Sequence, residues 1–201
     1  RRPPRHRRFR PLYAQPRGLS RHPLSSPISC VMTALVYAVR MHLYIVRHGL
    51  AVPKDENPDC PLSETGRRDV ARMASFLART RPAITRIIHS GKTRAAQTAL
   101  IYADTLGPGR LVEEALDGLK PGDPTDPVAR AAEEWTDDTM VVSHLPLVGK
   151  LVARLVVGDE DKSIVHFQAG TVACLERSEN SGTGSRGWIL SWAMGPDLMG
   201  G

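Results

Sequence analysis

No run of this chain is apolar for long enough to cross a membrane. The longest, "ISCVMTALVYAV" (28–39), covers twelve residues, whereas a helical span needs about 20. Nor does it suit a secretory signal, because "MHLYIV" begins almost at once and leaves no cleavage site or spacer. Cysteine is scarce: Cys30, Cys60 and Cys174 are odd in number and far apart. That excludes a disulfide framework and suits a reducing compartment, so a cytoplasmic location is expected. The chain has no CxxC pair and no cluster of His and carboxylates at ligand spacing. No metal and no cofactor is therefore expected. An internal repeat is lacking too. "SGKT" (90–93) does not complete a nucleotide-binding loop, since that pattern needs glycine where Arg86 stands.

Acid is missing from the first 40 residues, which hold nine Arg and no Asp or Glu. Removing them from the totals of 27 basic and 21 acidic residues leaves 18 against 21. The high isoelectric point thus belongs to the leader, and the remainder carries no sign of a nucleic-acid partner. Rich in Arg, Pro and Ser and without apolar period, residues 1–40 read as a disordered basic leader. It is either non-native or a targeting segment, since an Arg-rich, acid-free leader has the composition of an organellar transit peptide. The folded domain is expected over 41–201.

From Met41 onward, apolar runs alternate with amphipathic ones. "HLYIV" (42–46), "TRIIHS" (85–90) and "TMVVSH" (139–144) read as strands. "SETGRRDVARMASFLART" (63–80) reads as a helix capped by Ser63, and "TRAAQTALIYADTL" (93–106) as one closed by Gly107 and Pro108. Further helices are expected at "PVARAAEEW" (127–135) and at 146–157, with a terminal hairpin of "TVACLER" and "WILSWAM" about "SENSGTGSRG". The alternation predicts an α/β fold: a mostly parallel sheet with helices on both faces and an antiparallel C-terminal edge hairpin.

Ligands of such sheets bind beyond the carboxyl ends of the strands. Three of these ends carry unusual residues: Arg47-His48-Gly49, His89-Ser90-Gly91 leading to Arg94, and Ser143-His144. In a parallel sheet Arg47, His48, Arg94 and His144 converge at one edge, together with two helix N-termini. Guanidinium groups and free helix N–H groups are anion donors, so the edge is built for phosphate. Gly49 would let the backbone approach and lend its N–H. A neutral imidazole pinned among cations can attack phosphorus. His48, between Arg47 and Gly49, is the expected nucleophile, and His144 the charge-stabilising donor once a phosphate dianion lies beside it. His42, His89 and His166 lack motif partners and read as structural. Glu113, Glu114, Glu133 and Glu134 read as solvated faces.

Together "VRHG", "SGKTRAAQTA" and "VVSHLPLVGKLVARL" resemble the histidine phosphatase superfamily, the phosphoglycerate mutase-like group. "LDGLKPGDPTDP", the terminal "WAMGPDLM" and the lack of a large insertion resemble its short branch, the SixA-type phosphohistidine phosphatases. The likeness covers about 41–198. It implies a cofactor-free phosphatase with Arg47, His48, Arg94 and His144 as the phosphate pocket and His48 as the phosphorylated residue. The implied substrate is phosphohistidine on a signalling or phosphotransfer protein; no nucleic acid or membrane is involved, and a monomer is expected. Two alternatives stay open: a phosphatase of small or aryl phosphomonoesters, and a phosphoprotein-binding module without turnover. The chain departs from the family at Cys60, where many SixA-like chains have Arg before Pro-Leu; Lys54, Arg67 or Arg68 would be the cation to compensate. Larger members also supply a carboxylic acid to the leaving group. The counterparts to consider here are Glu113, Glu114 and Asp117.

Overall fold

Leu43–Val46 are buried on both sides, and alternate residues feed different cores. Leu43 and Ile45 enter one cluster, Tyr44 and Val46 the other. Such two-sided burial is what a central strand of a parallel sheet requires. In the computed structural model, which describes residues 41–115, 118–179 and 186–199, six strands form a single sheet. They are β1 (His42–Arg47), β2 (Arg86–His89), β3 (Leu111–Glu114), β4 (Thr139–Ser143), β5 (Val172–Glu179) and β6 (Arg186–Met194). Their order is β3-β2-β4-β1-β5-β6. β1 to β4 run parallel, while β5 and β6 are antiparallel to their neighbours, as the alternation predicts.

Helices α1 (Glu64–Arg79) and α2 (Thr93–Leu106) cover one face. Helices α3 (Asp126–Glu134) and α4 (Leu147–Val157) cover the other. Ser63 caps α1 through its hydroxyl, which accepts the Gly66 N–H at 3.0 Å. Gly107 ends α2 with φ +94°, a conformation that costs glycine little. A 3₁₀ turn, Pro196–Met199, follows β6. Both it and β3 went unread in the sequence. β3 is four residues, "LVEE", at the sheet's edge and half exposed, so it shows neither an apolar run nor a clean alternation. The basic leader, Asp117 and the tip of the β5–β6 hairpin lie outside the described residues. Among those described, no helix is long and apolar enough to cross a membrane.

Register decides where the strand ends meet. Arg47 of β1 pairs with Ser143 of β4, and His89 of β2 pairs with Val142. The residues that follow, His48, His144 and Ser90, therefore leave the sheet side by side at its carboxyl edge.

Candidate active site

The first turn after β1 is held from several directions. His48 N–H donates to Ser143 O at 3.0 Å, and Arg47 N–H donates to Thr171 O at 3.0 Å. Gly170 N–H in turn donates to the carbonyls of Arg47 and His48. The Arg47 side chain reaches the same loop, where Nη1 donates to Phe167 O at 2.8 Å. Backbone packing explains Gly49 and Gly66. A Cβ on Gly49 would stand 2.6 Å from Val70 Cγ2 and 3.0 Å from Gly66 O, and one on Gly66 would collide with the Leu50 carbonyl. The turn thus sits directly on the first turn of α1.

Around His48 the hydrogen bonds close into a ring. Nδ1 lies 2.7 Å from Gly49 O, and a carbonyl can only accept, so Nδ1 carries the proton. Nε2 is then the lone-pair nitrogen, and Arg94 Nε donates to it at 3.1 Å. The Arg94 carbonyl accepts from the Thr98 hydroxyl at 2.8 Å, and that oxygen accepts the Gly49 N–H at 3.1 Å. The Gly49 N–H, expected to face phosphate, here donates to Thr98, while its carbonyl receives the His48 Nδ1 proton. The 98-position hydroxyl, fully buried, was not read from the sequence as part of the site.

His144 stacks obliquely on His48, with ring centroids 4.7 Å apart and planes at 55°. Its Nε2 lies 2.6 Å from the buried Ser90 hydroxyl, and its Nδ1 is buried without a partner among the described residues. Burial, followed by the fields of His48, Arg94, Lys92 and Arg47, pushes the His144 imidazole down to about 3. Burial is also the chief cause holding His48 down at about 4; Arg94 and Arg47 act the same way, and the bond to Gly49 O opposes them in part. Burial lowers Arg47 as well, though a guanidinium stays charged. Both histidines are thus neutral in the free protein. The cationic His144 expected of a charge-stabilising donor would need a dianion beside it to favour its protonated form.

These shifts set a pH dependence. The acid limb of kcat/KM, which reports the free enzyme, should fall at about pH 4 and leave activity at pH 5.5 little reduced. An unperturbed imidazole would place it at about 6.5. The unfolded chain takes up protons at that higher pH while the native site does not, so native stability should fall as pH drops from about 6.5 toward 4. A kcat/KM profile corrected for substrate ionisation checks the first statement. A limb at 6 to 7 would show that His48 is not the group whose lone pair is needed.

The other predicted residues separate. His42 binds Asp138 through its backbone N–H at 2.7 Å and its Nδ1 at 3.3 Å, at the opposite end of β1. His89 Nδ1 accepts the Gly91 N–H at 3.1 Å. Glu113 lies 4.0 Å from Arg86 Nε, whereas Glu114 leans on the site loop, where a methyl on Gly91 would strike its carboxylate. Cys60 sits at φ +44° and bonds weakly to Pro58 O at 3.6 Å. No hydrogen bond or ion pair among the described residues links Lys54, Arg67 or Arg68 to the four pocket residues. No group of three or more His, Cys, Asp or Glu among those residues could hold a metal.

A sheet edge that presents two neutral imidazoles between two guanidiniums defines a protein that handles phosphoryl groups. Comparison with known proteins gives the family. The profile of the "Histidine phosphatase superfamily (branch 1)" matches residues 43–140. Phosphohistidine phosphatase SixA of Escherichia coli (strain K12) is 31% identical over 156 residues, spanning 75% of this chain and 94% of that one. The structure of the protein histidine phosphatase SixA complexed with tungstate superposes with a TM-score of 0.68 at 27% identity, covering 80% of this chain and all of that one. A mycobacterial glucosyl-3-phosphoglycerate phosphatase shares the fold, with a TM-score of 0.56 at 20% identity over 76% of this chain and 97% of that one. The chain belongs to the histidine phosphatase superfamily and has its phosphatase fold.

Proposed function

We propose that this protein removes the phosphoryl group from phosphohistidine on a protein substrate through a covalent intermediate on His48. The observation that carries this reading is the His48 tautomer: Nδ1–H is committed to Gly49 O, and the neutral Nε2 faces Arg94. In the first step the Nε2 lone pair forms a bond to phosphorus while the bond from phosphorus to the substrate imidazole breaks, and the departing nitrogen takes a proton. In the second, water attacks phosphorus, the His48–phosphorus bond breaks, and the displaced pair returns to Nε2. One proton of the water stays on the attacking oxygen and the other goes to phosphate or solvent. On this reading Arg47, Arg94 and His144 meet the phosphoryl oxygens, whose charge spreads in the transition state. The SixA structure was obtained with tungstate, a tetrahedral oxyanion, which fits such a pocket.

The choice of substrate rests on the electrostatics of the two histidines. Burial lowers both and neighbouring cations act the same way; among the described residues, which do not include Asp117, no carboxylate stands among the causes of either shift. A well-placed general acid is commonly worth about 10²–10⁴ in rate. A pocket of cations therefore favours leaving groups that find a proton elsewhere, and an imidazole protonated from solvent is one. The expected order of kcat/KM is phosphohistidine protein, then aryl phosphate, then alkyl phosphate. An alkyl ester turned over as well as the phosphoprotein would overturn the reading, and Glu114, beside the Gly91 loop, would be the acid to replace. Binding of the phosphoprotein without turnover would identify a recognition module instead.

A further inference from the structure

A Cβ on residue 49 would stand 2.6 Å from Val70 Cγ2, so the turn after His48 takes glycine, whose own sterics restrict its backbone least. Yet the Gly49 carbonyl has to stay 2.7 Å from His48 Nδ1, because that bond decides which ring nitrogen carries the proton. Left to itself, a neutral histidine favours the proton on Nε2. That tautomer would cover the lone pair which here accepts from Arg94 Nε. Something other than glycine's own preference must therefore hold the turn. The ladder between β1 and β4 does not, since its pairing ends at Arg47 and Ser143. The Gly49 N–H donates instead to the Thr98 hydroxyl at 3.1 Å, and Thr98 is fully buried.

A helical threonine commonly donates its hydroxyl to the carbonyl one turn back. Thr98 does so to Arg94 O at 2.8 Å. With its proton engaged there, the oxygen offers only lone pairs, and that bond fixes their direction. Further along α2, Thr105 makes the same bond to Ile101 O at 2.7 Å, but no amide of another element donates to it among the described residues. We propose that Thr98 is a positioning residue for His48: its oxygen, bonded to Gly49 N–H and Arg94 O at once, fixes the turn so that Nδ1 keeps the proton and Nε2 stays open. The assignment deepens the reading of His48 as nucleophile and rests on it. Both ring nitrogens of His48 meet residues, Gly49 and Arg94, whose backbones this one buried oxygen ties together. Both bonds of Thr98 go to backbone groups, so it acts through its neighbours and not on substrate.

Thr98→Val keeps the side chain's shape and removes the oxygen. Long-range proton–nitrogen correlation spectra of the isotope-labelled protein at neutral pH read the His48 tautomer, with His48→Ala assigning the signal. They do so whether or not the enzyme turns over. The parent should carry the proton on Nδ1, and Thr98→Ser should match it. Thr98→Val should show the Nε2–H form or a mixture, and its kcat on an aryl phosphate should fall about 10–100-fold, as when the supports of metal-bound histidines are lost, with KM little changed. Thr105→Val should match the parent in both readouts. A Thr98→Val spectrum that still shows only Nδ1–H would overturn the proposal, whatever the rate. So would loss of the tautomer in Thr98→Ser, which keeps the oxygen. A Thr98→Val chain that does not fold would overturn it too, by showing that the oxygen serves the fold. A shifted tautomer at the parent's kcat would leave the positioning role and end the reading of Nε2 as the attacking atom.

Discussion

His48→Ala is expected to abolish turnover and to leave no acid-labile phosphate on the protein after incubation with phosphoramidate. The variant removes Nε2, the atom that would carry the phosphoryl group, and no other group in the pocket offers an equivalent lone pair. Ser90 is tied to His144 at 2.6 Å, and Thr98 is enclosed by Gly49 and Arg94. His144 is neutral too, but its Nε2 meets Ser90 and its Nδ1 is buried. On the proposed covalent route the loss should exceed that for any other single change, because that route divides one hard step into two and without the nucleophile neither occurs. The fold should survive, since the backbone N–H of residue 48 still donates to Ser143 O. Mass spectrometry of the trapped intermediate and a thermal melt check the two halves. A phosphoryl label that persists in the variant and maps to His144 would reverse the assigned roles.

The contrast between what the sequence disclosed and what it hid follows from the kind of signal each feature leaves. α1 and α2 were legible almost to the residue because Ser63 and Gly107 punctuate them chemically. The four residues expected to hold phosphate were legible as candidates because each stands in a short motif at a strand end or a helix start, and the parallel register sets the ends of β1, β2 and β4 side by side. β3 left no such mark: "LVEE" at a half-exposed edge looks like a loop with two acids. Nor did the supports of the site. Arg47 is oriented by the carbonyl of Phe167, 120 residues away, and a carbonyl has no sequence signature. Ser90 and Thr98 are small hydroxyl residues whose role depends on which ring nitrogen or amide lies opposite. At Gly49 the sequence shows that a side chain is missing but not what fills the space, which here is Val70 and Gly66 of α1.

Arg94→Ala is expected to cost on the order of 10²–10³ in kcat, about 2.7–4 kcal/mol, as for removal of one preorganised donor to a transition-state oxyanion. The geometry predicts a second effect that separates this role from a merely structural one. In the free protein Arg94 Nε donates to His48 Nε2 at 3.1 Å, and its charge helps to depress that imidazole. Without the guanidinium the His48 pKa should rise, so the acid limb of kcat/KM should move upward from about 4 toward the ordinary imidazole value. Arg94→Lys should restore most of the depression, because a cation is again close, yet recover only part of the rate. An ammonium lacks the planar fork that grips two phosphoryl oxygens at once. The hydroxyl of Thr98 bonds the backbone at residue 94, not the side chain, so the ring that holds the Gly49 turn should remain in both variants. A pH profile of kcat/KM for the parent and both variants measures rate and shift together. A near-native rate in the Ala variant would mean that the guanidinium makes no contact with the phosphoryl group in the transition state. A large loss with an unmoved acid limb would place the effect in folding or packing rather than in the field around His48.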